Sequence, residues 1–309
     1  MNIVIKVGKE RSEWWKEHMS SILPNYNIFL AHENYDKDKI DFAIVWKPKP
    51  GWLKTLSNLK CIVSMGSGID HILSDPHLPK KVPIIRTTGY DLNVRMKEYV
   101  ILHVLRHHRN LTKIIEINKK KEWKSVIEPP MHERIIGIMG LGNLGADCAK
   151  TLAYLGFKVK GWSKSKKQLD GVTSFTGNEE LEKFIKDVEI LVCMLPLTSE
   201  TEGILNSSLF SKMQKGLCLI NAARGEHLVD EDLLEYIKNE TIKEATLDVF
   251  HIEPLPVDHA FWSNEKILIT PHIASLIDPV AGGKEIAMNI KKFVKGEYVK
   301  NLIPLGKDY

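Results

Sequence analysis

Cysteine is scarce: four in 309 residues, and Cys61, Cys148, Cys193 and Cys218 form no close pair. That scatter excludes a disulfide framework, and the apolar segments around each one suit buried, reduced thiols. No recurring His, Cys or carboxylate spacing matches a metal site, so no metal is expected. Long apolar runs are missing too: none approaches the roughly 18 residues that cross a bilayer. The opening "MNIVIKVGKERSEWW" carries charge where a signal peptide needs an apolar stretch. A cytoplasmic protein without a membrane partner is the expectation. Neither sign of charge dominates, since 43 Lys and Arg face 39 Asp and Glu, interspersed, for a net +4. The one dense basic block, Lys119–Lys120–Lys121, closes a helical pattern and reads as a solvated helix end. It is not taken as a nucleic-acid tract. Internal repeats and low-complexity segments are absent as well.

What the chain does have is alternation. Its length suits two domains of roughly 150 residues each, and its apolar (43%) and charged (27%) shares are those of a globular protein. "NIVIKV" (2–7), "FAIVW" (42–46), "CIVSM" (61–65) and "PIIRT" (83–87) read as buried strands, with "SEWWKEHMSSIL" a helix after the first. A long helical pattern runs from about 94 to 121. A second series follows: "RIIGIMG" (134–140), "FKVKGW", "EILVCML", "LCLINA", "EATLDVF" and "KILITP". The segment "GGKEIAMNIKKFV" (282–294) is helical again, and periodicity does not say which domain it joins. Strands alternating with helices imply parallel sheets joined by right-handed crossovers.

The stretch "IIGIMGLGNLG" places Gly140, Gly142 and Gly145 directly after a strand and at the start of a helix. In a dinucleotide-binding turn the first glycine permits the tight bend and the second lets backbone approach a pyrophosphate. The third allows close helix–strand packing, while the helix N-terminus faces the anion. Gly140, Gly142, Asn143, Leu144 and Gly145 are therefore candidate cofactor contacts. The next strand ends in "GWSKSKK" (161–167), where an acid commonly bonds the ribose 2′-hydroxyl of NAD. Here there is none. Trp162, Ser163, Lys164 and Lys166 offer donors and positive charge instead, which suits a 2′-phosphate. Two charged hydrogen bonds of roughly 1.5–3 kcal/mol each would favour NADP(H) by about 10²–10⁴ in affinity, with NAD(H) secondary. An exposed lysine-rich loop is the plainer alternative.

Five stretches together carry a resemblance: the glycine turn, "MLPLTSETEGIL" (194–205), "LINAARGEHLVDEDLL" (219–234), "ATLDVFHIEPLP" (245–256) and "ILITPHIA" (267–274). With them the chain resembles the D-isomer-specific 2-hydroxyacid dehydrogenases, nearest to the branch that reduces glyoxylate and hydroxypyruvate. The match is nearly continuous from about 130 to 275 and looser before 100, where "SMGSGIDHIL" is the clearest anchor. The resemblance implies an α/β fold of two Rossmann- or flavodoxin-like domains. A cofactor domain (99–282) would be inserted into a substrate domain (1–98 and 283–309). It also implies a homodimer and a small 2-oxo acid as substrate.

The same resemblance implies catalytic roles for Arg224, Glu253 and His272, and their chemistry agrees. An arginine fork can hold a carboxylate and polarise the neighbouring carbonyl. Histidine donates a proton near neutral pH, and a carboxylate beside an imidazole fixes its tautomer and favours the protonated form. Taken singly these could be a surface ion pair, a loop acid and a core histidine; jointly, each after a strand of one dinucleotide domain, they read as a site. By resemblance Asp248 accepts a bond from the nicotinamide carboxamide, with loop capping as the plainer role, and Leu195, Pro196 and Ala222 line the cofactor; Gly66, Ser67 and Gly68 present backbone N–H groups to a substrate carboxylate, or form a plain tight turn. Trp46 is either a pocket wall or core. The stretch "TGYDLNVRMKEY" (88–99) reads as a lengthened loop bearing on pocket size. A nucleotide-sensing binding protein on the same fold is the alternative function, since fold alone does not fix activity.

Overall fold

The computed structural model describes residues 1–304, with Glu10, Tyr90 and Asp91 described at the backbone only; positions 305–309, the end of the expected substrate domain, lie outside the described residues. The chain forms two compact units, Met1–Leu92 with the segment from Ile277, and Asn93–Leu276 inserted between them. Both divisions fall earlier in the chain than the expected 98/99 and 282/283. At the second, Ile277 already packs against the core of the first unit, and Asp278 caps the helix Pro279–Val294 by accepting from the N–H groups of Val280 and Ala281.

In the first unit, β1 (Asn2–Lys6), β2 (Asn27–Leu30), β3 (Phe42–Val45), β4 (Cys61–Ser64) and β5 (Ile84–Arg86) pair in parallel in the order β5-β4-β3-β1-β2. This is the flavodoxin-like order, which reverses beside the first strand. The central strands β3 and β4 are buried on both faces, which explains their unbroken apolar sequences.

The second unit contains β6 (Ile135–Met139), β7 (Lys158–Ser163), β8 (Val172–Thr176), β9 (Ile190–Cys193), β10 (Leu217–Asn221), β11 (Ile242–Leu247) and β12 (Ile267–Ile269). They form an all-parallel sheet ordered β12-β11-β10-β9-β6-β7-β8, the Rossmann order with one strand added beyond β11. Apolar clusters cover both faces, one built around Phe184, Phe210 and Leu219, the other around Ile138, Val192 and Leu152. The chain returns to the first sheet with β13 (Leu302–Ile303), antiparallel on the β5 edge.

Three expectations change. The helical pattern 94–121 is two helices, Tyr90–His108 and Leu111–Lys119, broken at Asn110, whose φ of +52° no helix interior accepts. The stretch 88–99 is not a loop beyond Gly89, because the helix already begins at Tyr90. Strands β2, β8 and β13 are additions: they are short edge or near-edge strands, and "VTSFT" is too polar to signal a buried one.

All four cysteines are free and buried, and burial pushes each thiol up to about 12. Among the described residues no group of three or more His, Cys, Asp or Glu is placed to hold a metal, and no helix is long and apolar enough to cross a membrane.

Candidate active site

The glycine turn leaves β6 where the sheet order reverses between β6 and β9, the place where open α/β sheets bind ligands. Gly140 adopts a φ of +102°, donates to the Trp162 carbonyl at 2.8 Å, and leaves no room for a side chain: a Cβ there would meet the Met194 carbonyl oxygen at 2.6 Å. Gly145 lies so close under the turn that a Cβ would sit 1.8 Å from the Gly140 oxygen. Gly142 differs, because a Cβ on it would meet open space. It stands at the head of the helix Asn143–Tyr154, which no side chain caps, so the N–H groups of Asn143, Leu144 and Gly145 head a 12-residue helix with an anion-attracting end. These residues fit the phosphates of a dinucleotide.

At the end of β7 no acid is present. The buried Ser163 hydroxyl donates to the Ser165 carbonyl at 2.8 Å, Lys164 Nζ pairs with Glu200 at 3.1 Å, and Lys166 is exposed. Trp162 contributes differently from the sequence expectation. Its ring is in the core and its indole N–H donates to Gly177 at 2.8 Å, so only its backbone carbonyl reaches the glycine turn. Leu195 is likewise core, whereas Pro196 is exposed at the end of the segment after β9.

The ends of β10, β11 and β12 carry the remaining groups. Ala222 donates to the Cys193 carbonyl, and Asp248 N–H to the Asn221 carbonyl at 3.0 Å, which keeps these strand ends in register. Arg224 follows β10, half-buried; its guanidinium donates to the Ala223 carbonyl at 2.7 Å, and the Asn221 amide donates to the Arg224 carbonyl at 2.9 Å. Next comes Gly225, where a Cβ would lie 2.0 Å from the Phe250 carbonyl carbon. Only glycine lets the arginine turn close on the segment that carries Glu253. That carboxylate accepts the Phe250 N–H through Oε1 at 3.2 Å and meets His272 Nδ1 through Oε2 at 2.9 Å, both side chains partly buried. His272 holds a φ of +53°, a conformation uncommon outside glycine.

In the first unit, the loop after β4 is folded on itself: Ser64 Oγ donates to the Gly66 carbonyl at 3.1 Å. Trp46 is half-buried; its ring would be 2.7 Å from a Cβ on Gly66 and lies 4.7 Å, centroid to centroid, from His71. Ser67 and Gly68 are partly exposed.

Residues 101–274 match the family model described as "D-isomer specific 2-hydroxyacid dehydrogenase, NAD binding domain". The chain is 38% identical over its whole length to glyoxylate/hydroxypyruvate reductase A of Yersinia enterocolitica, and 38% identical over 96% of both chains to that of Serratia proteamaculans. The chain belongs to the D-isomer-specific 2-hydroxyacid dehydrogenase family. Among solved structures, the NADPH-dependent glyoxylate/hydroxypyruvate reductase of Sinorhizobium meliloti, in complex with NADP and sulfate, superposes with a TM-score of 0.90 at 34% identity over 98% of both chains. A family member from Xanthobacter autotrophicus Py2, in complex with NADPH and MES, gives 0.90 at 34% identity, covering 98% of this chain and 97% of that one.

For this dehydrogenase-family chain, Asp248 caps the loop after β12, the plainer of the two roles its place in the sequence allowed. The residue is 1% exposed, and its carboxylate accepts three bonds from the segment after β12: Thr270 Oγ1 (2.6 Å), Ile273 N–H (2.8 Å) and Ala274 N–H (2.8 Å). Its backbone carbonyl also accepts the His272 N–H at 2.9 Å. Asp248 thus builds the turn that presents His272. A carboxylate has about four lone-pair sites, so a carboxamide contact would use the remainder. Burial raises the Asp248 carboxyl above its usual range, against the three bonds and the nearby His272, which pull it down. Tyr99, 2.7 Å from Thr270 Oγ1, extends the network and was not anticipated, because nothing in its spacing links it to residue 270.

Asp248→Ala would strand the buried Ala274 N–H at roughly 1–3 kcal/mol and also remove the acceptor of the Ile273 N–H and the Thr270 hydroxyl. The melting temperature should fall by several degrees and kcat with it, as His272 loses its support. If Asp248 serves the cofactor alone, thermal melts will be unchanged and only cofactor affinity will drop.

Proposed function

We propose that the chain is an NADPH-dependent reductase of small 2-oxo acids, glyoxylate to glycolate and hydroxypyruvate to glycerate. The observation that carries the chemistry is the His272–Glu253 contact at 2.9 Å, and the names of the full-length relatives point to the substrates. The glycine turn and the first turn of the helix after it hold the pyrophosphate, with Pro196, Ala222 and Asp248 as further contacts. Ser163, Lys164 and Lys166 serve the 2′-phosphate, and NAD(H) is a secondary cofactor. When bound, the dinucleotide supplies the hydride.

Arg224 grips the substrate carboxylate and polarises the carbonyl beside it. In the first unit, the backbone N–H groups of Ser67 and Gly68 stand as candidate carboxylate donors and Trp46 as a candidate wall. Glu253 holds Nδ1 of His272, so Nε2–H is the proton given to the carbonyl oxygen. The free, buried thiols fit the reducing cytoplasm.

A panel of 2-oxo acids monitored at the NADPH absorbance band tests this reading; no turnover across the panel would leave only a nucleotide-sensing role. His272→Ala should lower kcat/KM by roughly 10²–10⁴ with NADPH affinity retained, and Glu253→Gln should lie between that variant and the wild type. Near-full activity of His272→Ala removes the histidine from the mechanism.

Ser163→Asp tests the cofactor assignment. A carboxylate there repels a 2′-phosphate and accepts from a 2′-hydroxyl. The wild type should prefer NADPH by kcat/KM, and the variant should lose most of that preference. Equal use of both cofactors by the wild type contradicts it.

A homodimer is part of the same proposal. Leu102, Leu111, Ile114, Ile115, Trp123 and Ile127 are all exposed, Trp123 completely, on one stretch of the second unit. Such an apolar run on a lone chain invites a partner surface. Sedimentation should give twice the chain mass, and Trp123→Glu with Ile127→Lys should give monomers; a monomeric wild type ends the idea.

A further inference from the structure

His227 follows Arg224 in the turn after β10, and the sequence reading gave it no role. Its side chain is fully buried yet polar, and it touches both segments that frame the arginine. Nε2 lies 3.3 Å from the Pro196 carbonyl oxygen, which can only accept, so this nitrogen carries the hydrogen. Nδ1 lies 3.2 Å from the Arg224 backbone N–H, which can only donate, so this nitrogen offers its lone pair. The Arg224 carbonyl is also 3.2 Å from Nδ1 but already receives the Asn221 amide at 2.9 Å. The neutral Nε2–H tautomer therefore satisfies every neighbour, and an imidazolium does not.

The Arg224 peptide is thus held on both sides, its carbonyl by Asn221 and its N–H by His227. The ring continues the clamp to the segment after β9. Beside it, Gly203 N–H donates to the Glu226 carbonyl and Leu205 N–H to the His227 carbonyl, both at 2.8 Å. Pro196 receives a second donor, Thr201 Oγ1, at 2.7 Å. We infer that His227 is a positioning residue: a neutral imidazole that sets the backbone of Arg224 and ties it to the cofactor-side segment at Pro196. The inference rests on the substrate role proposed for Arg224. Burial, and then the Arg224 charge, depress the His227 basicity against its two carbonyl contacts and Glu226, which keeps the ring neutral at working pH.

Three variants separate the two bonds. Asn places an acceptor near the Nδ1 position and loses the reach to Pro196; Gln reaches Pro196 and loses the Arg224 contact; Phe keeps the shape and loses both. In His227→Phe and His227→Gln the KM for glyoxylate should rise on the order of tenfold, the effect of one hydrogen bond at an oriented group. His227→Asn should recover most of that loss, and the NADPH dissociation constant, read by fluorescence, should stay within about threefold in all three. Wild-type kcat/KM in His227→Phe overturns the inference, as does His227→Asn performing no better than His227→Gln, or cofactor affinity falling in step with KM. Should a variant fail to fold, ¹⁵N spectra of the wild type decide the tautomer: a neutral Nε2–H signature for His227 at pH 6 supports the inference, and an imidazolium or Nδ1–H signature overturns it. A wild type that reduces no 2-oxo acid sinks the functional reading, while the tautomer result stands independently.

Discussion

A single buried carboxylate organises the chemistry. With its three donors from the segment after β12 and its backbone carbonyl on the His272 N–H, Asp248 forces a tight turn onto residues 270–274. The left-handed backbone of His272 costs of order 1–3 kcal/mol and persists only where the surroundings over-determine it. Once the turn is set, Nδ1 of His272 meets Glu253, and that residue is itself anchored on the Phe250 N–H. Gly225 then lets the arginine turn close on the same segment. The site is a stack of strand ends, each fixed by the next.

How much of this was legible depended on how local each signal was. The glycine turn spans a strand end and a helix start, so its spacing alone announced its geometry, and Gly140, Gly142 and Gly145 behave in three distinct ways as the motif requires. Arg224, Glu253 and His272 were singled out through resemblance, and their strand-end positions make a shared site physically sensible. The roles of Tyr99 and His227 were not legible, nor were the partners of Asp248, whose loop capping was the plainer of its two readings, because each acts through groups brought in by the fold: residue 248 meets 273 and 274, 99 meets 270, and 227 meets 196. Trp162, expected among the cofactor contacts, shows a related limit, since a residue's place in a motif does not say whether its ring or its backbone faces the turn. The long helix was read through Asn110 because a single left-handed residue leaves no trace in apolar periodicity.

The electrostatics around β7 are more balanced than the lysine-rich sequence suggests. Lys164 is paired with Glu200, 36 residues away on the segment after β9. An exposed pair of this kind is weak and salt-screened, so it keeps the lysine near the strand end without holding it fast. The absence of an acid at Ser163 therefore matters more for cofactor choice than the number of lysines nearby. Buried polar groups in the second unit follow a stricter rule. Glu244 on β11 accepts from Thr112 at 2.9 Å and faces His107 and Arg106, so a charged residue inside a sheet strand fastens the flanking helices instead of destabilising the strand.

The four sequestered thiols give the protein its own clocks for internal opening. Cys61 lies in β4 of the first unit, whereas Cys148, Cys193 and Cys218 line the helix after the glycine turn, β9 and β10 of the second. With their sulfurs held as thiols and shut away from water, an alkylating reagent reaches them only when the surrounding structure parts. Mass spectrometry of time-resolved labelling would thus report Cys61 for one unit and the other three for its companion, with no engineered probe. Whether the inserted unit loosens before, after or together with its host becomes a question of which sulfur gains mass first.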